Sequence, residues 1–149
     1  MDYIKLKTLD GGDIKISSLG FGCEPLGGTD WGSVDIKSIE KAFYKSIDMG
    51  WNYFDTAAVY GLGASEKNLG NLLSNIKEEL VVSTKVGMTW NNPNLLSNKS
   101  NSRPKIKIDA SPKEIRNSIE RSLRRLNLIS IPLVFLHNPD PRVPIEDSV

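Results

Sequence analysis

Six consecutive residues, Leu80-Val81-Val82-Ser83-Thr84-Lys85, constrain the fold more than any other stretch. They are rich in β-branched side chains and show little alternation, the pattern of a parallel strand covered on both faces. Parallel neighbours must be joined by long crossovers, usually helices, so a chain with such a strand should alternate short apolar runs with helical segments. It does. Leu19 to Cys23 is a first run, followed by a helix opening near Asp35 with Ile36, Ile39, Phe43 and Ile47 on one stripe and Gly50 past its end. Asn52 to Asp55 is a second run, and a helix from about Ser65 places Leu69, Leu72, Leu73 and Ile76 together, slightly weakened by Gly70. After the third run, Ser111-Pro112-Lys113-Glu114 supplies a capping hydroxyl, a proline where no amide donor is needed and a carboxylate in the first turn.

The helix that starts there carries Ile115, Ile119, Leu123 and Leu126 inward, and Arg116, Arg121, Arg124 and Arg125 are expected mainly on its solvated faces. Leu133 to His137 is the fourth run, and Ile145-Glu146-Asp147 reads as the opening of one more helix. Ahead of these units, Ile4, Leu6, Ile14 and Ile16 alternate with lysines around Asp10-Gly11-Gly12, a hairpin signature over residues 1–17. Met88 to Ala110 is rich in Asn, Ser and Lys and reads as a long loop with a short extended piece at Lys105 to Ile108. Residues 1–149 are taken as a single partial domain, since no linker or low-complexity tract divides them.

Nineteen basic against 18 acidic residues leave a formal charge of +1, without the basic excess that nucleic acid or an anionic membrane would recruit. Cys23 is the one cysteine and His137 the one histidine, which excludes an internal disulfide and a Cys/His structural zinc site. No metal is expected. A reducing, cytoplasmic setting fits this cysteine usage, and the sequence contains neither a signal-peptide pattern nor an apolar run of membrane-spanning length.

In a parallel β/α barrel the reactive side chains lie where strands end, on the carboxyl side. Asp55 ends the second run, Tyr60 follows in the next loop, Lys85 ends the third run and His137 ends the fourth. Each alone has an ordinary reading: a turn cap, a half-buried ring, a solvated strand end, a core histidine. Together, an acid, a phenol, an ammonium and an imidazole from three consecutive strand ends form a proton-transfer site.

These residues resemble a known family. Asn52-Tyr53-Phe54-Asp55-Thr56-Ala57-Ala58-Val59-Tyr60-Gly61, with Ser65-Glu66 and Leu69-Gly70 after it, is similar to the signature of the aldo-keto reductases. Val82 to Val86, Ile119 to Leu126 and Leu136-His137-Asn138-Pro139 match in the same order, and the hairpin matches the cap on the amino-terminal end of the family's barrel. The resemblance implies an α/β fold, the N-terminal half of a (β/α)8 TIM barrel preceded by a β-hairpin. It also implies hydride transfer between NADP(H), usual in the family, and a carbonyl, alcohol or sugar, with NAD left open by the sequence. Asp55, Tyr60, Lys85 and His137 would then be the catalytic residues, with Tyr60 as proton donor and Lys85 lowering the phenol's pKa. His137 would hold the substrate oxygen, and Asp55 would orient Lys85 and contact the cofactor.

Asn138 stands where many members carry a tryptophan, which leaves substrate class open, and Trp31 and Trp90 are candidate pocket walls or simply packed loop side chains. A complete barrel has eight units and about 250 residues, so four units suggest a truncated chain that is inactive alone and either self-associates or pairs with a C-terminal half. The alternative reading is a non-catalytic binding or regulatory protein on the same scaffold, as in the potassium-channel β subunits that resemble these enzymes.

Overall fold

The computed structural model describes residues 1–29, 32–91 and 104–148. Its centre is a four-stranded parallel sheet in the order β3-β4-β5-β8, formed by β3 (Phe21–Gly22), β4 (Tyr53–Asp55), β5 (Val81–Val86) and β8 (Leu133–Leu136). Phe54 pairs with Phe21 and Val82, and Lys85 pairs with Phe135, so the strands follow one another in chain order and all run the same way. Helices α1 (Ile36–Asp48), α2 (Ala64–Leu73) and α3 (Pro112–Leu126) provide the crossovers. These are the parallel β-α units that the alternation of runs and stripes implies, in the half barrel that the family resemblance implies.

The core lies between the sheet's outer face and the helices. Cys23, Leu26, Phe43, Phe54, Leu69, Leu72, Val82 and Leu126 are buried in one cluster, with the rings of Phe43 and Phe54 4.8 Å apart. Period-two alternation decides which strand residues join it: Phe54, Val82 and Thr84 face the helices, while Tyr53, Asp55, Ser83 and Lys85 share the opposite face, the concave side of the barrel.

Capping follows the sequence closely. Asp35 accepts from the Lys37 amide at the start of α1, and Ser111 accepts from the Glu114 amide at the start of α3. The hairpin of β1 (Tyr3–Lys7) and β2 (Asp13–Ser17) docks through Asn52, whose side chain accepts from the Ser17 amide at 2.6 Å and donates to the Lys15 carbonyl at 2.8 Å. Asn52 immediately precedes β4, so the hairpin sits at the amino ends of the strands, away from the rim that carries Lys85 and His137.

Four expectations need correction. The first run forms only a two-residue strand, because the chain turns at Glu24–Gly27 into a 3₁₀ segment with Pro25 in it. Met88–Trp90 is strand β6 rather than loop, and it pairs antiparallel as a hairpin with β7 (Ile106–Ile108), which is the short extended piece expected there. Trp90 gives that hairpin its anchor, buried among Ala57, Ala58, Val59 and Leu62. Ile145–Asp147 is a 3₁₀ turn and not the first turn of an α-helix. Finally, two of the α3 arginines are not simply solvated: Arg121 pairs with Glu114, and Arg125 Nε donates to Glu66 Oε2 at 2.6 Å, whereas Arg116 and Arg124 are exposed. Glu66 is fully buried, its other oxygen accepting from the Thr84 hydroxyl at 2.6 Å, so α2, β5 and α3 are joined through one carboxylate. Trp31 lies outside the described residues.

Gly70 explains itself only in three dimensions. A Cβ there would lie 2.6 Å from the Leu126 carbonyl oxygen, so α2 and α3 pack backbone to backbone at this point. Gly70→Ala should therefore lose stability, by about 1–3 kcal/mol from overpacking, even though helix propensity alone favours Ala by about 1 kcal/mol. Thermal or urea denaturation decides the sign, and a raised midpoint would refute the close approach.

Candidate active site

The four polar residues placed at strand ends come together at the carboxyl rim. Lys85 Nζ donates to Asp55 Oδ2 at 2.6 Å, to the Thr56 carbonyl at 3.0 Å and to Tyr60 Oη at 3.1 Å. An ammonium has three protons and no acceptor, so these three partners satisfy it completely. Because Lys85 only donates, the phenol's own O–H is not consumed by this contact and remains available to another acceptor. His137 stands edge-on to Tyr60, with ring centroids 6.0 Å apart and planes at 85°.

Each placement has a local cause. Asp55 and Lys85 are held by the β4–β5 register, in which Asp55 pairs with Ser83 and Lys85 follows two residues later on the same face. His137 follows β8 directly, and its amide donates to the Val86 carbonyl at 2.8 Å. Tyr60 depends on an unusual turn. Gly61, Leu62 and Gly63 have φ of 58°, 55° and 92°, and left-handed backbone at Leu62 is costly for a side chain with a Cβ. Burial of Leu62 beside Trp90 offsets that strain. The turn also packs against Gly27, where an added Cβ would meet the Gly61 nitrogen at 2.8 Å, so only glycine allows the two backbones to touch.

The electrostatics separate the two bases. Burial pulls the Lys85 ammonium towards deprotonation, but the hydrogen bonds and charge of Asp55 and Tyr60 outweigh it, and its pKa lies above the ordinary 10.5. Lys85 is thus charged throughout the neutral range. Burial pushes the His137 imidazole below its ordinary 6.5, and the Lys85 ammonium pushes the same way against weaker opposition from Asp55 and Glu24. Its Nδ1 is buried without a hydrogen-bond partner among the described residues.

Two contributors escaped the sequence reading. Ser83 donates to Asp55 Oδ1 at 2.7 Å, and Tyr53 Oη lies 3.0 Å from Ser83 Oγ. Their signal was available: each stands two residues before a site residue on its own strand and therefore on the same face.

The profile described as Aldo/keto reductase family matches residues 18–149. The chain belongs to that family. It is 32% identical over 137 residues to an aldo-keto reductase of Bacillus subtilis, covering 91% of this chain and 38% of that protein. The solved glycerol dehydrogenase of Gluconobacter oxydans superposes with a TM-score of 0.78 at 33% identity, over 95% of this chain and 42% of the other. The holo form of an aldo-keto reductase from Bacillus halodurans gives 0.75 at 28% identity, over 99% and 44%. This aldo-keto reductase chain thus spans about two fifths of the length of the relatives it matches.

Since His137 is the only histidine, its titration in this aldo-keto reductase chain can be followed without ambiguity by NMR. Its midpoint should fall below 6.5 in the folded chain and rise in Lys85→Met, where one of the two depressing influences is gone. The sign for stability follows: a depressed folded pKa makes the neutral ring's contribution complete above pH 6.5 and lost as pH falls through the folded midpoint. A midpoint at or above 6.5 would contradict the placement of His137.

Proposed function

We propose that this chain is the catalytic half of an NADP(H)-dependent aldo-keto reductase that interconverts a small carbonyl or sugar and its alcohol, with Tyr60 as proton donor. The observation that carries the reading is the pair of contacts made by Lys85 Nζ, 2.6 Å to Asp55 and 3.1 Å to the Tyr60 phenol. When bound, a nicotinamide cofactor supplies hydride to the carbonyl carbon, and the oxygen then needs one proton. The donor set fits that need. The Tyr60 O–H has no acceptor among the described residues, and the Lys85 ammonium against the same oxygen stabilises the negative charge left as the proton departs.

His137, neutral near physiological pH and edge-on to Tyr60, orients the substrate oxygen towards the phenol. Asp55 keeps Lys85 charged and is the residue of this chain proposed to contact the cofactor. In the oxidising direction Tyr60 as phenolate takes the alcohol proton. A complete set of four at the rim favours catalysis over a scaffold used for binding alone. The phosphorylated dinucleotide is proposed on the family resemblance. A cytoplasmic setting is proposed on the single, buried and unpaired Cys23; no described helix is long and apolar enough to cross a membrane.

Coverage of about two fifths of its relatives leads us to place the remaining strands, and with them most cofactor contacts, in a second half that completes the barrel. In a protein with the barrel completed, Tyr60→Phe should lower NADPH-dependent reduction of para-nitrobenzaldehyde by at least about a hundredfold and leave NADPH affinity within about twofold. Turnover retained by Tyr60→Phe would overturn the assignment of the proton donor.

A further inference from the structure

The concave face of the sheet carries more than the four rim residues. Tyr53 and Asp55 on β4, and Ser83 and Lys85 on β5, form one polar column, with Ser83 fully buried within it. Tyr53 Oη lies 3.0 Å from Ser83 Oγ, Ser83 Oγ 2.7 Å from Asp55 Oδ1, Lys85 Nζ 2.6 Å from Asp55 Oδ2 and 3.1 Å from Tyr60 Oη. The direction of every proton is fixed by elementary valence. An ionised carboxylate only accepts, so Ser83 must spend its single proton on Asp55. Its oxygen then has only lone pairs for Tyr53, so Tyr53 must donate. The phenol is itself held, since its ring lies against the Gly20 backbone, where a Cβ would stand 2.6 Å from Tyr53 Cδ1.

We infer that Ser83 and Tyr53 are positioning residues for the proton donor: Tyr53 sets the rotamer of the Ser83 hydroxyl, and that hydroxyl fixes the plane of the Asp55 carboxylate so that Lys85 is held against Tyr60. Asp55 is 30% exposed, enough room for its carboxylate to turn if one oxygen lost its partner. With Ser83 donating to one oxygen, the other is committed to Lys85. Donors polarise one another along such a chain, so the far phenol is felt at the ammonium only through the serine. The titratable groups around Lys85 are Asp55 on β4, Tyr60 in the following turn and His137 after β8, with Cys23 and Glu24 beyond them at the end of β3. Of these, only Asp55 is touched by Ser83. Loosening Asp55 weakens one of the two interactions, with Asp55 and with Tyr60, that keep Lys85 above its ordinary pKa, so the alkaline limb of the reduction profile moves to lower pH.

The positioning role rests on the proton-donor reading for its effect on turnover, but not for its effect on Lys85. Exchange of the Lys85 ammonium protons with water, followed at neutral pH in nitrogen-15 spectra of the chain, reads the grip directly. Ser83→Ala should speed exchange by about tenfold and Tyr53→Phe by about threefold, the loss of one direct and one indirect hydrogen bond. Because Tyr53 acts only through Ser83, the double variant should exchange no faster than Ser83→Ala alone. In the completed barrel, kcat should fall by similar factors with KM within about twofold, and the alkaline limb should shift down.

Unchanged exchange in Tyr53→Phe, which removes one oxygen and keeps the ring, would overturn the inference even if Ser83→Ala failed to fold. Additive effects in the double variant would overturn it equally. Should exchange respond as stated while Tyr60→Phe retains turnover, the coupling stands and the proton-donor reading falls.

Discussion

One ammonium organises this half barrel. Lys85 spends its three protons on Asp55, Thr56 and Tyr60, and in doing so ties the third strand of the parallel sheet to the end of the second and to the loop beyond it. The pair with Asp55 is neither dry nor fully solvated, with side chains 19% and 30% exposed. That intermediate setting suits the task. Full burial would impose a desolvation cost that a single ion pair rarely recovers, and full exposure would let water screen the charge that Lys85 presents to the phenol. A rim position at strand ends provides the compromise, and on the proposed reading it leaves the phenol open to a substrate.

The opposite face of the same strands is organised by another charge. Glu66 is fully buried and shared between Thr84 and Arg125, one neighbour and one helix away from Lys85. Thr84 and Lys85 are adjacent in sequence and point to opposite sides, so β5 is held from both faces at the position where the site needs it rigid. Arg125 also lies 5.9 Å over the Trp90 ring, which in turn packs on the segment leading into Tyr60. Outer helices and inner rim are therefore connected through packed side chains, and the site rests on rigid elements.

Backbone geometry supplies the remaining constraint. Tyr60 opens a left-handed turn that only works because Gly27 and Gly61 lack side chains and because Leu62 is buried against its neighbours. Strain concentrated beside the proposed proton donor, and offset by packing elsewhere, is the pattern that functional sites often show. The hairpin at the other end of the sheet has no such feature; it docks through Asn52 and touches none of the rim residues through the hydrogen bonds described.

Much of this was legible in the residues. β-Branched runs at regular spacing, helical stripes closed by Gly50 and opened by Asp35 and Ser111, and polar residues at strand ends depend on local periodicity and on backbone valence, which a sequence states directly. Strand-end placement already grouped Asp55, Tyr60, Lys85 and His137, and the family signature added the role expected of each. What the sequence could not state is who faces whom across strands. Whether Ser83 meets Tyr53 and Asp55, whether Arg125 is a solvated charge or the partner of a buried Glu66, and whether Met88 to Trp90 is loop or strand depend on register and on the approach of segments far apart in the chain. Those choices are made when the sheet closes and the helices pack, because a hydrogen bond or ion pair is worth making only where both partners have already lost their water.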